Sequence, residues 1–302
     1  VTGDRAGGQS AARALAAAAG AEWPSAAIPG ALHVVSTPIG HLGDITLRAL
    51  AVLQQVAVIA CEDTRRARTL LQRYGVTTPT VALHEHNEAR TTPRLLERLR
   101  SGEAIALVSD AGTPLVSDPG ARLVEAAVDA GLAVVPVPGP SAALAALVAS
   151  GVPAHPCTVL GFLPRKGGDR AGALRLAATL PHAVVLFEAP GRLAETLRDL
   201  ATVAGGERRA VVARELTKKF EEFRRGTLAS LGAYYEETPP RGELVLVLEG
   251  LIPDGDGDDE DRLRAIAADR RAEGFRPREI VEHLVDAHGA ARNLAYRIAH
   301  QT

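Results

Sequence analysis

The chain has 302 residues, of which 46% are hydrophobic and 23% charged, with a formal net charge of −2 at pH 7. That length predicts two domains with room for a small appendage, and a core large enough to need neither disulfides nor a structural metal. Balanced charge excludes a global positive field, so any nucleic-acid role must rest on a local patch. Only two cysteines occur, Cys61 and Cys157, with neither CxxC spacing nor a histidine cluster beside them. This excludes a disulfide framework, predicts no metal site and fits a reducing cytoplasm.

Residues 1–30 are rich in Ala, Gly and Ser without a strong period, and read as a disordered leader. From Ala31, short apolar runs alternate with longer helical stretches. Strands are predicted at 32–35, 56–60, 80–83, 104–108 and 133–137, and helices at about 44–54, 64–74, 93–101 and 119–130. Asp118-Pro119 has the form of a helix opening, an acceptor followed by proline at the first helical position. Gly102 and Gly131 fall where helix C-termini want a left-handed residue. Alternating strands and helices predict an α/β domain with a parallel sheet over 31–150.

The stretch from Ala130 to Pro164 carries no Asp, Glu, Lys or Arg, but six prolines break it, so no membrane span is expected. A second α/β domain is expected over 151–253, after a helix at 140–150. Its strands are placed at 158–162, 183–187, 210–213 and 243–248, and its helices near 190–203 and 227–236. The acidic run 254–261, DGDGDDED, reads as a solvated linker, since its ligand spacing does not match a calcium loop. Residues 262–302 read as two or three short helices in which arginines outnumber carboxylates.

In an open α/β sheet, ligands bind beyond the carboxyl ends of the strands, so the residues after each strand carry the chemistry. STPIGHLGD (36–44) follows the first strand and matches neither GxGxxG nor GxxxxGK[ST], which disfavours nicotinamide and Walker-type sites. Glu62, Asp63 and Arg65 follow the second, and His84, His86 and Glu88 the third. SDAGTPLVSDPG (109–120) and PVPGPSA (136–142) follow the fourth and fifth. These last two combine small residues that admit a ligand close to the backbone with prolines that hold the loop's shape.

STPIGHLGDITLRAL, CEDTR, SDAGTPLVSDPG and VPGPSA, in this order, resemble the tetrapyrrole-methylase-like superfamily. With LFEAPGRL (186–193), ARELTKKFEEFRRGTL (213–228) and RGELVLVLEG (241–250), they are most similar to its bacterial 16S rRNA cytidine ribose 2′-O-methyltransferase branch. The resemblance spans about Leu32 to Gly250, and the terminal helical segment only loosely. It implies a usually homodimeric enzyme that uses S-adenosylmethionine without a metal and acts on the small ribosomal subunit. By position in the motifs, Pro38, Asp110, Gly112, Thr113, Pro114, Val116, Ser141 and Ala142 would line the cofactor cleft. Phe187, Ala189, Gly242 and Leu244 would close it from the second domain.

A ribose hydroxyl is a poor nucleophile near neutrality, so a positioned base is expected. Glu62, Asp63, Arg65 and Glu188 are the catalytic candidates, with Arg65 holding a phosphate or orienting a carboxylate. The bland alternative is that Asp63 caps the helix at 64–74 and Arg65 pairs with it. For RNA, Lys218, Lys219, Arg224 and Arg225 lie among Phe220 and Phe223, suited to phosphates and unpaired bases. An exposed helix face compensated by Glu221 and Glu222 is the alternative there. Arg165 and Lys166 are a second candidate contact. Two other functions stay open on these residues: a methylase of porphyrin-like small molecules on the same fold, and a non-catalytic RNA-binding relative.

Overall fold

The computed structural model describes residues 13–18, 21, 25–251 and 256–301. They form two compact units, Val1–Glu249 and Gly250–Thr302.

The first unit opens with β1 (Leu32–Val35), α1 (Leu47–Gln55), β2 (Val58–Cys61), α2 (Thr64–Tyr74) and β3 (Thr80–Ala82). It continues with α3 (Glu88–Arg100), β4 (Ile105–Val108), α4 (Ala121–Asp129), β5 (Val134–Val137) and α5 (Ala142–Ser150). The five strands make one sheet in the order β3-β2-β4-β1-β5, with every pair parallel. Each of the central strands β2 and β4 is buried at all four residues, as a sheet covered on both faces demands. Leu50, Leu53, Ile59 and Leu71 lie in the core on one side, and Leu95, Leu99, Leu107 and Leu123 in the core on the other. The strands agree with the expectation to within two residues at each end.

Three details differ. Residues 13–18, expected in the disordered leader, are helical. Ala16 there is buried in the core under α1, and its carbonyl accepts a hydrogen bond from Gln54 at 2.7 Å. Residues 1–12, 19–20 and 22–24 lie outside the described residues. Helix α3 starts five residues before the expected 93, with Pro93 inside its second turn. Asp118-Pro119 does not open α4: Gly120, at φ 119°, takes the N-cap position without a side-chain bond. Glu88 caps this helix from outside, its Oε1 accepting from the Arg122 N–H at 2.8 Å.

The unit continues with β6 (Cys157–Phe162), α6 (Gly167–Thr179), β7 (Ala183–Glu188), α7 (Leu193–Ala204), β8 (Arg209–Arg214), β9 (Glu222–Thr227), α8 (Leu228–Glu237) and β10 (Leu244–Leu248). Their sheet runs β6-β7-β10-β8-β9, parallel only between β6 and β7. Helices α6, α7 and α8 cover one face, while α5 packs on the other through Ala143, Ala146 and Leu147. Helix α6 and strand β9 are absent from the sequence reading. β9 is a half-buried edge strand, EFRRGT, and charged residues are what keeps such an edge from pairing further.

In the second unit α9 (Asp256–Ala272), α10 (Pro277–His288) and α11 (Arg292–Gln301) share a core of Leu263, Ile280, Leu284 and Ile298. The acidic run expected as a linker is helical from Asp256 onward; residues 252–255 lie outside the described residues. Among the described residues no helix is long and apolar enough to cross a membrane.

Candidate active site

The loops after β1, β4 and β5 are sewn together at the carboxyl end of the first sheet. Thr37 and Gly112 exchange backbone hydrogen bonds of 2.8 and 3.0 Å. The Ser36 and Thr113 hydroxyls share a 2.9 Å bond, and Thr113 Oγ1 donates to the Pro140 carbonyl. The loop after β4 is bent by four left-handed residues, Gly112, Leu115, Ser117 and Gly120. Two of them carry side chains, a cost that persists only where surrounding contacts hold it. From the second sheet, the bulge at Gly161 brings its backbone against Ser117, where a Cβ would meet Oγ at 2.6 Å.

Between these loops and the ends of β6, β7 and β10 lies a cavity of about 420 Å³. Of the residues expected to hold the cofactor, Asp110, Gly112, Thr113, Val116, Ser141, Ala142, Phe187, Ala189, Gly242 and Leu244 line it. Pro38 and Pro114 do not; both are buried in the loops behind it, and Ile39 lines the wall beside Pro38. Ser141 also caps α5, accepting from the Leu144 N–H. Gly242, at φ 88°, sits where a Cβ would collide with the Glu215 carboxylate.

The four catalytic candidates separate into different roles. Glu62 lines the cavity, and burial, with Asp110 nearby, pushes its carboxyl above the usual range. Asp63 is the N-cap of α2, accepting from the Arg65 N–H at 2.8 Å, and it chelates the Arg65 guanidinium at 3.1 and 2.8 Å. Those bonds pull its carboxyl down to about 2. Arg65 is 87% exposed and outside the 420 Å³ cavity. Glu188 lines the cavity but is buried and saturated, by the Thr196 hydroxyl at 2.5 Å and the Ala189 N–H at 2.8 Å, with Arg192 at 3.6 Å.

Among the cavity residues that the sequence reading did not select, three have side chains that bear on ligand contact. Arg66, next to the chosen Arg65, pairs with Asp110 at 3.1 Å, while the Asp63 N–H holds the other Asp110 oxygen. Asp118 faces the cavity instead of capping α4; burial, then the charges of Glu62 and Asp110, push it up to about 6. Phe162 packs against Phe187 at 5.6 Å between ring centroids and is 55% exposed. Period and spacing carry no signal for Arg66 or Asp118. Phe162 could have been found as the last residue of a strand whose end faces the ligand side.

The expected RNA segment is not a free basic helix face. Lys218 is held by Glu215 at 2.8 Å and Glu243 at 3.0 Å. Arg224 pairs with Glu222 and lies 3.7 Å over the Tyr234 ring. Arg225 donates to the Ala149 and Ser150 carbonyls. Lys219 projects outward beside Phe220. Arg165 and Lys166 are exposed just before α6.

Residues 31–232 match a family model described as tetrapyrrole (corrin/porphyrin) methylases. A curated relative, ribosomal RNA small subunit methyltransferase I of Mesorhizobium japonicum, is 51% identical over 226 residues, covering 74% of this chain and 77% of that protein. One of the same name from Synechocystis sp. is 43% identical over 271 residues, 89% of this chain and 97% of that protein. Among solved structures, uroporphyrin-III C-methyl transferase from Thermus thermophilus complexed with S-adenyl homocysteine aligns with a TM-score of 0.54. It covers 72% of this chain and 96% of that one at 19% identity, a likeness of fold. With relatives matched over three quarters or more of their length, the chain belongs to the tetrapyrrole (corrin/porphyrin) methylase family and groups within it with the small-subunit ribosomal RNA methyltransferases I.

Proposed function

We propose that the chain transfers a methyl group from S-adenosylmethionine to the ribose 2′-hydroxyl of a cytidine in the decoding region of 16S rRNA, acting in the cytoplasm as a homodimer. The observation that carries this is the run of curated relatives, 39–51% identical, that are named as ribosomal RNA small subunit methyltransferases. The cavity's composition fits the cofactor. Ile39, Val116, Phe187, Leu244 and Val245 offer apolar walls, and the carboxylates of Asp110 and Asp118 offer polar partners. When bound, S-adenosylmethionine supplies an electrophilic methyl on its sulfonium.

The protein's part is then alignment of an in-line displacement and acceptance of the hydroxyl proton. Asp110 is occupied by Arg66 and the Asp63 N–H, Glu188 by Thr196 and Ala189, and Glu243 by Lys218. Among the described residues, Glu62 and Asp118 are the cavity carboxylates that no protein hydrogen bond engages, and their raised affinity for protons suits them to take one. Glu62 is the proton acceptor in this reading, Asp118 shares its charge environment, and Arg66 fixes Asp110. Asp63 and Arg65 build the start of α2, and Glu188 positions the wall at Ala189.

The test is methyl transfer from labelled S-adenosylmethionine to small ribosomal subunits lacking their own modification, mapped by ribose-methylation-sensitive hydrolysis. Label on a single cytidine ribose is expected, and Glu62→Gln should lower kcat by about 10²–10⁴-fold with cofactor affinity kept. Cofactor binding without RNA methylation would transfer the reading to a small-molecule methylase.

A further inference from the structure

Helix α2, TRRARTLLQRY, carries four arginines and no carboxylate. Its inner face, Ala67, Leu70, Leu71 and Tyr74, packs into the core of the first sheet, so the arginines are left on the outer side. Arg65 is occupied by Asp63, and Arg66 reaches Asp110 at the cavity while staying 68% exposed. Among the described residues, Arg68 and Arg73 have no carboxylate within 4 Å. Arg66 and Arg73 are seven residues apart, about 10 Å along one side of the helix.

At the far end of α2 a second cavity opens, lined by His41, Arg73, Tyr74, Lys218 and Lys219 among others. It is built where loops of the two sheets meet: the His41 N–H donates to Thr217 Oγ1 at 3.0 Å, and a Cβ on Gly40 would overlap Thr217 and Lys218. Lys218 is neutralised by its two glutamates, whereas Lys219 has an aromatic neighbour and no carboxylate among the described residues. One helix therefore joins two cavities, with Arg66 at the first and Arg73 at the second, while Arg68, two residues from Arg66, projects from the opposite flank.

We propose that α2 and the second cavity form a track for the sugar–phosphate strand of single-stranded RNA leaving the active-site cavity, with phosphates on Arg66, Arg73 and Lys219. This rests on the ribose methyltransferase reading above. The cations are strung along the helix and do not converge on a point, so they suit a polyanion and not a single small anion. The track begins at the cavity that would take the ribose, and the strand carrying that ribose must leave along some surface. Phosphate contacts of this kind fix register without reading bases. They also reconcile a chain of net charge −2 with a polyanionic substrate.

The test is anisotropy of a short fluorescein-labelled single-stranded RNA of the decoding-region sequence, titrated with the full chain across a salt series. Removing two phosphate contacts from a single strand should flatten the slope of log K against log salt by about 1.4, at roughly 0.7 per contact. Arg73→Ala/Lys219→Ala should show that loss and at least a tenfold weaker complex at low salt, whereas Arg68→Ala, on the opposite flank of α2, should leave the slope unchanged. Arg100→Ala/Arg175→Ala, which removes equal charge from α3 and α6, should leave the slope unchanged. Calorimetry with S-adenosylhomocysteine should give the same affinity for every variant, which verifies folding. An unchanged slope in Arg73→Ala/Lys219→Ala, with wild-type RNA binding and methylation intact, would overturn the track alone. Equal losses in the control variant would overturn it too, as would polyglutamate displacing the RNA at matched charge concentration. Failure of the wild type to bind or methylate RNA would instead remove the reading on which it rests.

Discussion

Asp118 takes a role opposite to the one its neighbours in the sequence suggest. An Asp-Pro pair ahead of an apolar run looks like a helix start, but the left-handed residues Ser117 and Gly120 turn the backbone so that Glu88 serves α4 from outside. Asp118 is left at the cavity with its carboxyl pushed from 3.8 up to about 6, by burial first and then by Glu62 and Asp110. The folded chain then holds this proton more tightly than the unfolded chain. Stability is lost as pH rises from about 4 through about 6, where the unfolded group ionises first. Asp118→Asn should flatten that region, so the variant's Tm gains on the wild type between about pH 4 and about pH 6 in thermal melts. Parallel melts would place Asp118 in an ordinary solvated setting. Arg65 and Arg66 give the complementary lesson. Both follow a strand that ends in carboxylates, but neighbours on a helix point about 100° apart. Which one reaches Asp110 depends on how α2 is rotated on the sheet, and the local sequence does not say.

At the scale of elements, continuous apolar runs were enough to find all five strands of the parallel sheet, because both faces are covered. β9 gave no such signal: it is an edge strand of charged and aromatic residues, paired among the described residues only with β8, the strand before it in the chain. It passes directly into α8 through Thr227. The Thr227 hydroxyl accepts from the Ser230 N–H at 3.2 Å, and the Ser230 hydroxyl accepts from the Thr227 N–H at 2.9 Å. Thr227→Ala removes one half of this reciprocal cap and should cost about 1 kcal/mol in denaturant unfolding. Thr227→Ser should retain most of it. A loss near zero for both would mean that pairing of β9 with β8 alone holds the start of α8.

For the molecule as a whole, the candidate site is a property of the two sheets together, since its walls come from the ends of β1, β2, β4 and β5 in one and β6, β7 and β10 in the other. A ligand held by both should stabilise the unit Val1–Glu249 as one body. S-adenosylhomocysteine at about 100 times its Kd adds about 2.7 kcal/mol. For a unit of this size that is a rise in Tm of roughly 5–10 °C, read by calorimetry. No rise would separate this cavity from cofactor binding. The sequence by itself determined the α/β class, the parallel order of alternation and the loops that line the cavity, because apolar runs, glycines and prolines act over a few residues. The tertiary structure alone decided which side chains in those loops are free to act. It engages Glu188 with Thr196, Lys218 with Glu243 and Arg225 with the Ala149 and Ser150 carbonyls, and it turns Glu62, Arg66 and Asp118 toward the cavity. The physical reason is that an ion pair or a burial shift depends on partners that chain folding brings from distant positions.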